Sequence, residues 1–231
     1  MFNFTINSEK THTIEPGLTS TLASRLSQLD FLCEEFGPKR VTLRFDPIVH
    51  YRDKLNGPIK NNLEDFHYIM GRASKCGVKK VVFSFCIPFR KTLANFRKYN
   101  LQLITLGHNQ QKDVLDELMD IASKFGIQMQ ACSSIELINY KNKNGACVGR
   151  SACIDGKLIS SLVKLRSKRK DPGQRTECNC VKSRDIGSYE LECPHGCTYC
   201  YANPKFITTK RVGKTLIDYN RRGERKGRGI Y

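Results

Sequence analysis

KRVTLRFDP (residues 39–47), NLEDFHYIM (62–70) and KKVVFSF (79–85) read in succession as strand, helix and strand. The first and last are short apolar runs led by basic residues and rich in β-branched and aromatic side chains, as strands are. Between them Leu63, Phe66, Ile69 and Met70 recur at helical spacing, with Asn62 as the expected cap and Gly77 as the stop. A strand, a helix and a second strand in that order form the repeating unit of parallel α/β folds. The second strand is expected to stop at Asp46-Pro47, because proline cannot donate to a sheet ladder.

The same alternation continues on both sides. Phe2 to Ile6 reads as a strand; after Pro16-Gly17 come Leu22, Leu26, Leu29, Leu32 and Phe36 on one helical face. Downstream of Phe85 the spacing predicts a helix over about 90–99 and a strongly amphipathic one over 111–125 stopped by Gly126. A strand over 127–132 and a short helix over 155–165 follow. Four such units are about half of the eight that close a (β/α)₈ barrel. Residues 1–165 are therefore expected to form a partial (β/α) barrel or an open twisted sheet. Its apolar first strand begins at residue 2, an edge that another segment or chain would cover.

Bulk properties narrow the class. The chain has 231 residues, 39% hydrophobic and 26% charged, the balance of a soluble globular protein. It has no apolar run long enough to span a membrane and no secretory leader at MFNFTINSEK, so the expected compartment is the cytoplasm. Charge is lopsided: within a net +17, residues 163–231 hold 17 Lys and Arg against 7 Asp and Glu. A basic end of this kind suits an anionic partner such as nucleic acid, or simply a solvated tail. KLRSKRKDPGQR (164–175) reads as a charged connection into a Cys-rich segment, 166–204, and the basic tail, 205–231, reads as partly disordered by composition.

Eleven cysteines change meaning in a reducing compartment, where they serve as metal ligands, redox centres or small packed side chains. Five of them fall between Cys178 and Cys200. Cys193-Pro-His-Gly-Cys197-Thr-Tyr-Cys200 has the spacing CxxxCxxC, short enough to wrap three thiolates around three corners of an iron–sulfur cubane, with Gly196 relieving the turn. Zinc is the competing reading, with Cys178, Cys180 or His195 as a fourth ligand. Cys178-Asn-Cys180 could chelate a second metal if two more thiols joined it, and Cys153 and Cys132 are the candidates; packed thiols are the plainer account. Arg44 and Asp46, at the end of the second strand, stand where catalytic groups gather in parallel folds, though Asp-Pro is also an ordinary turn. His50, His67 and His108 are isolated and read as structural or exposed.

KDPGQRTECNCVKSRDIGSYELECPHGCTYCYANP (170–204) resembles the C-terminal signature of an uncharacterised, mostly bacterial domain-of-unknown-function family. That family is noted for a terminal cysteine cluster like that of radical S-adenosylmethionine (SAM) enzymes. LRFDPIVHYRD (43–53), VVFSF (81–85), QACSSIEL (130–137) and SACID (151–155) are similar in matching order, so the likeness covers most of the chain. The CTYCYA part is also similar to the cluster loop of spore photoproduct lyase and its relatives.

The resemblance implies a radical-SAM-like, TIM-barrel-like fold with its cluster loop at the chain's end and a [4Fe–4S] cluster on Cys193, Cys197 and Cys200. The cluster's free iron would take SAM, with Tyr199 near that cofactor. A flavodoxin- or ferredoxin-like donor would supply the electron. Cys178, Cys180, Ser183, Asp185, Gly187 and Tyr189 are signature positions without assigned chemistry. Family members usually begin with a further block of strands ahead of the segment matching Phe2, which this chain lacks, and no Gly-Gly-Glu-like stretch for the cofactor's amino group is present. The alternative from another class is a zinc- or cluster-stabilised module that binds nucleic acid.

Overall fold

The structure, a computed structural model, describes residues 1–9, 13–53, 56–132, 134–164, 169–175, 177–184 and 193–202. The elements are β1 (Phe2–Thr5), α1 (Leu22–Phe36), β2 (Val41–Ile48), β3 (His50–Arg52), β4 (Lys60–Asn61), α2 (Phe66–Lys75), β5 (Lys80–Phe85), α3 (Arg90–Lys98), β6 (Gln102–Ile104), α4 (His108–Lys124), β7 (Gln128–Ala131), β8 (Gly149–Arg150) and α5 (Gly156–Leu162). Five strands form one parallel sheet in the order β1-β2-β5-β7-β8, open at both edges.

That order explains which side of the sheet is free. Crossovers between parallel strands are right-handed, so a sheet that always grows in one direction collects its helices on one face. Here α1, α2 and α4 pack side by side and bury Leu26, Leu29, Ile69, Met70, Leu115 and Leu118 against Leu43, Phe45, Val81, Phe83, Met129 and Ala131. Burying each such side chain stabilises the fold by about 1.5–3 kcal/mol. The alternate residues point the other way, Thr42 and Arg44 on β2 and Val82 and Ser84 on β5. The chain after β8 covers that face: Asn3 Nδ2 donates to Cys153 O at 2.8 Å, and Val181 N–H donates to Ile154 O at 3.1 Å.

Three sequence expectations need correction. β2 does not stop at Asp46-Pro47 but runs to Ile48. Its pairing with β5 slips between Phe45↔Phe83 and Ile48↔Phe85, so Pro47 sits in an irregularity of the ladder, where a missing N–H costs little. Asn62 does not cap α2; Asp65 occupies that position, while the buried Asn62 side chain accepts from Val49 N–H and donates to Pro47 O. Among the described residues the parallel strands number five where four were expected, because two-residue β8 has no hydrophobic pattern to announce it.

A small antiparallel sheet, β4-β3-β6, also went unforeseen. With α3 it encloses a second core of Ile14, Val49, Tyr51, Phe96, Leu101 and Leu103. His50, read as structural or exposed, is buried there on β3, and burial depresses its pKa. Asp155, read as the first residue of a helix over 155–165, instead caps α5 through Lys157 and Leu158 N–H. Among the described residues no helix is long and apolar enough to cross a membrane.

Candidate metal centres at the strand ends

The loop that carries Cys193, Cys197 and Cys200 is docked by backbone contacts on the turn that follows β1. Gly17 N–H donates to His195 O at 2.8 Å, and Thr198 N–H donates to Ile14 O at 2.8 Å, with Thr198 Oγ1 adding a 3.2 Å bond to the same oxygen. A side chain at position 17 would place its Cβ 1.9 Å from Pro194 O, so only glycine allows this approach. Gly196 adopts φ 58°, the left-handed conformation that turns the loop back between its first two cysteines. On the other side Asn95 Nδ2 of α3 donates to Cys200 O at 3.0 Å, and Thr92 Oγ1 to Tyr199 O at 3.4 Å.

The sequence left the groups beneath this loop unremarked. Tyr199 OH donates to Glu15 Oε1, and Asn7 Nδ2 donates to both Glu15 Oε1, at 2.8 Å, and Tyr199 OH, at 3.2 Å. The Tyr199 ring packs against the second core. Tyr199, expected beside a cofactor, is thus turned inward as the loop's anchor. Burial, then the charge of Glu15, push its hydroxyl well above the ordinary range. The Cys197 thiol is pushed up to about 12, first by burial, then by Glu15 and by the neighbouring Cys193 and Cys200.

A second group lies on the face opposite α1, α2 and α4. Arg44 Nη1 donates to Cys153 Sγ at 2.7 Å, and the thiols of Cys132 and Cys153 stand 4.0 Å apart. Ile154 N–H, next in the chain, donates to Cys180 Sγ at 3.3 Å; Cys178 interacts with the thiol and backbone of Cys180. Arg44 pairs with Asp46, whose Oδ1 also accepts from Ser84 Oγ. Burial opposes the charge on Arg44, but Asp46, Cys153 and Cys132 outweigh it, and its pKa rises. Within the thiol pair, the hydrogen bond from Cys153 leads in lowering Cys132 to about 6, while Cys153 is raised.

The structure therefore gathers Arg44, Asp46, Cys132, Cys153, Cys178 and Cys180 at one place and Cys193, Cys197 and Cys200 at another. The two are neighbours: the Arg175 guanidinium lies 5.6 Å from the Phe89 ring and 6.0 Å from that of Tyr201, joining the Cys178 hairpin to the residue after Cys200. Ser183 N–H donates to Asp171 Oδ2 at 3.3 Å, whereas Asp185, Gly187, Tyr189 and the tail 205–231 lie outside the described residues. Two surface cavities, of about 320 and 250 Å³, lie instead between α1 and α2 and beside α4 and β7.

Could these residues hold a metal group? Among the described residues no three Cys, His, Asp or Glu side chains are disposed to hold one metal ion. A single zinc needs all its sulfurs at one point, about 2.3 Å from the metal. An iron–sulfur cluster asks less, because its thiolates sit on separate irons. Three neighbouring thiols on a pinned loop suit that demand, and the buried Asn7 Oδ1 beneath the loop has no hydrogen-bond partner, leaving an acceptor open.

The model of one family, described as a domain of unknown function (DUF1848), matches residues 1–202. The chain belongs to this family. Neither a curated protein nor a solved structure matches it.

Proposed function

We propose that this family member carries a [4Fe–4S] cluster on Cys193, Cys197 and Cys200 and works as a cytoplasmic radical-SAM-type enzyme, its open sheet acting as a partial (β/α) barrel. The observation that carries the reading is the docking of the CxxxCxxC loop on Ile14 and Gly17, just past β1 of a parallel sheet. In parallel α/β folds the carboxyl ends of the strands are where ligands bind. When bound, such a cluster would supply one-electron reduction of SAM, fed by a flavodoxin- or ferredoxin-like donor, for 5′-deoxyadenosyl radical chemistry on a substrate.

The chain's own residues hold the frame for that chemistry. Three thiols leave one iron without a protein ligand, the place SAM would take. Tyr199, Glu15 and Asn7 lock the loop from below, and Asn95 and Thr92 lock its outer end. Arg44 and Asp46, which lie inside β2 because that strand runs to Ile48, form with Ser84 a charged group that remains the candidate catalytic set.

The test is anaerobic reconstitution of the full chain with iron and sulfide, then reduction with dithionite in the presence of SAM. A brown protein that yields 5′-deoxyadenosine, with the yield abolished in C193S/C197S/C200S, is the expected result. A colourless protein with stoichiometric zinc would refute it and favour the module reading. One observation favours nucleic acid as the substrate or partner: Phe89 and the exposed Tyr201 flank Arg175 beside a basic chain segment, a grouping on which unpaired bases stack. Binding to single-stranded DNA or RNA should then weaken steeply between about 50 and 200 mM salt.

A further inference from the structure

Cys132 and Cys153 meet at Arg44, with Cys178 and Cys180 beside them, and the radical chemistry proposed above uses none of the four. Cys132 follows β7, Cys153 follows β8, and Cys178 and Cys180 arrive on the hairpin held by the Lys170–Val181 bridge. We propose that Cys132, Cys153, Cys178 and Cys180 are the ligands of a second iron–sulfur centre, seated on the face of the sheet opposite α1, α2 and α4.

Three observations carry it. The first is the pairing. Cys132 and Cys153 have their sulfurs 4.0 Å apart, close to the roughly 3.8 Å that two thiolates on one tetrahedral metal would show from metal–sulfur bonds of about 2.3 Å. Cys178 and Cys180 form the other pair, and Cys180 is tied to the first through Ile154 N–H, the residue after Cys153. Cysteines arriving in two pairs suit a polynuclear cluster, in which different irons take different thiolates.

The second is what surrounds the sulfurs. A guanidinium on Cys153 Sγ at 2.7 Å and a backbone N–H on Cys180 Sγ at 3.3 Å are the donors that stabilise thiolates, and hydrogen bonds to sulfur are among the features that tune such clusters. The third is Ser151, which is buried, hydrogen-bonded by its N–H to Ala131 O beside Cys132, and left with no partner for its hydroxyl. Each thiol that ligates would release its proton to solvent.

The experiment compares full-length chains reconstituted anaerobically with ferrous iron and sulfide. The variant C193S/C197S/C200S should keep on the order of two to four iron atoms per chain with matching sulfide and a visible chromophore. Adding Cys178→Ser, at a half-exposed position, or Cys132→Ser should remove most of that residue of iron while circular dichroism shows the fold retained. A colourless, iron-free C193S/C197S/C200S protein overturns the proposal and leaves the loop cluster standing. So does one that holds only zinc, or one whose Cys132 and Cys153 are found joined in a disulfide after anaerobic work-up. If instead that variant keeps all of the wild-type iron, the second centre stands and the loop cluster falls.

Discussion

The two cysteine groups sit within reach of one guanidinium bridge, yet they are held by opposite means. The loop 193–200 is fastened by its backbone, through Ile14, Gly17 and Asn95, and the groups beneath it are acidic and phenolic: Glu15 and Tyr199. The group on the sheet is fastened by strand ends and a hairpin, and a cation, Arg44, reaches its sulfurs directly. One consequence is electrostatic. Cys197 resists ionisation and Cys132 favours it, so in metal-free protein the Cys197 thiol stays protonated where Cys132 readily ionises. A second concerns mechanics: the loop depends on one tight backbone approach, the sheet group on the parallel sheet itself.

The largest effect is expected from Arg44→Ala. It leaves the mostly buried Asp46 carboxylate without its counter-ion and removes the donor to Cys153. Unfolding free energy should drop by about 3–5 kcal/mol, measured by denaturant titration. A loss within error of zero would mean the sheet group does not rely on its cation, and the contrast drawn above would fail.

Next in size is Gly17→Ala. The new Cβ meets the Pro194 carbonyl, so the loop must lift; the cost should be about 1–3 kcal/mol. Iron bound in the Cys178→Ser background should fall severalfold, whereas iron in the C193S/C197S/C200S background should not change. Equal losses in both backgrounds would show that the two regions are one mechanical unit.

The smallest effect sharpens the electrostatic side. In metal-free protein, alkylation of Cys132 should proceed with its apparent pKa near about 6, while Cys197, held near about 12, stays unreactive through neutral pH. Only the thiolate reacts, so a lowered pKa makes Cys132 reactive as pH rises through that value. Glu15→Gln keeps an acceptor for Tyr199 and Asn7 but removes a charge, and should move the Cys197 profile to lower pH. Peptide mass mapping across pH reads both; coincident profiles for Cys132 and Cys197 would contradict the assignment.

How much of this could be read in the amino-acid order differs between the regions for a physical reason. Three thiols within eight residues are a local pattern, and CxxxCxxC announces itself. The partners beneath, Asn7 and Glu15, lie more than 180 residues away in sequence and carry no such signal. Arg44, Asp46, Cys132, Cys153, Cys178 and Cys180 were each suspected, but only the strand order brings them to one place. In the fold, helices of clear 3.6 periodicity such as α1 and α4, and strands as apolar as β5, were legible. Two-residue β8 and the β4-β3-β6 sheet were not, since pairing rather than composition makes them strands. Pro47 misled for the same reason: an irregularity in the ladder is a property of two strands, not of one.

The most direct test of the account is electron paramagnetic resonance of the dithionite-reduced full chain, recorded with and without SAM. The account predicts a cluster signal whose shape changes when SAM is added, and loss of the SAM-responsive part in C193S/C197S/C200S. A spectrum indifferent to SAM, or one unaltered when those three thiols become serine, would contradict it.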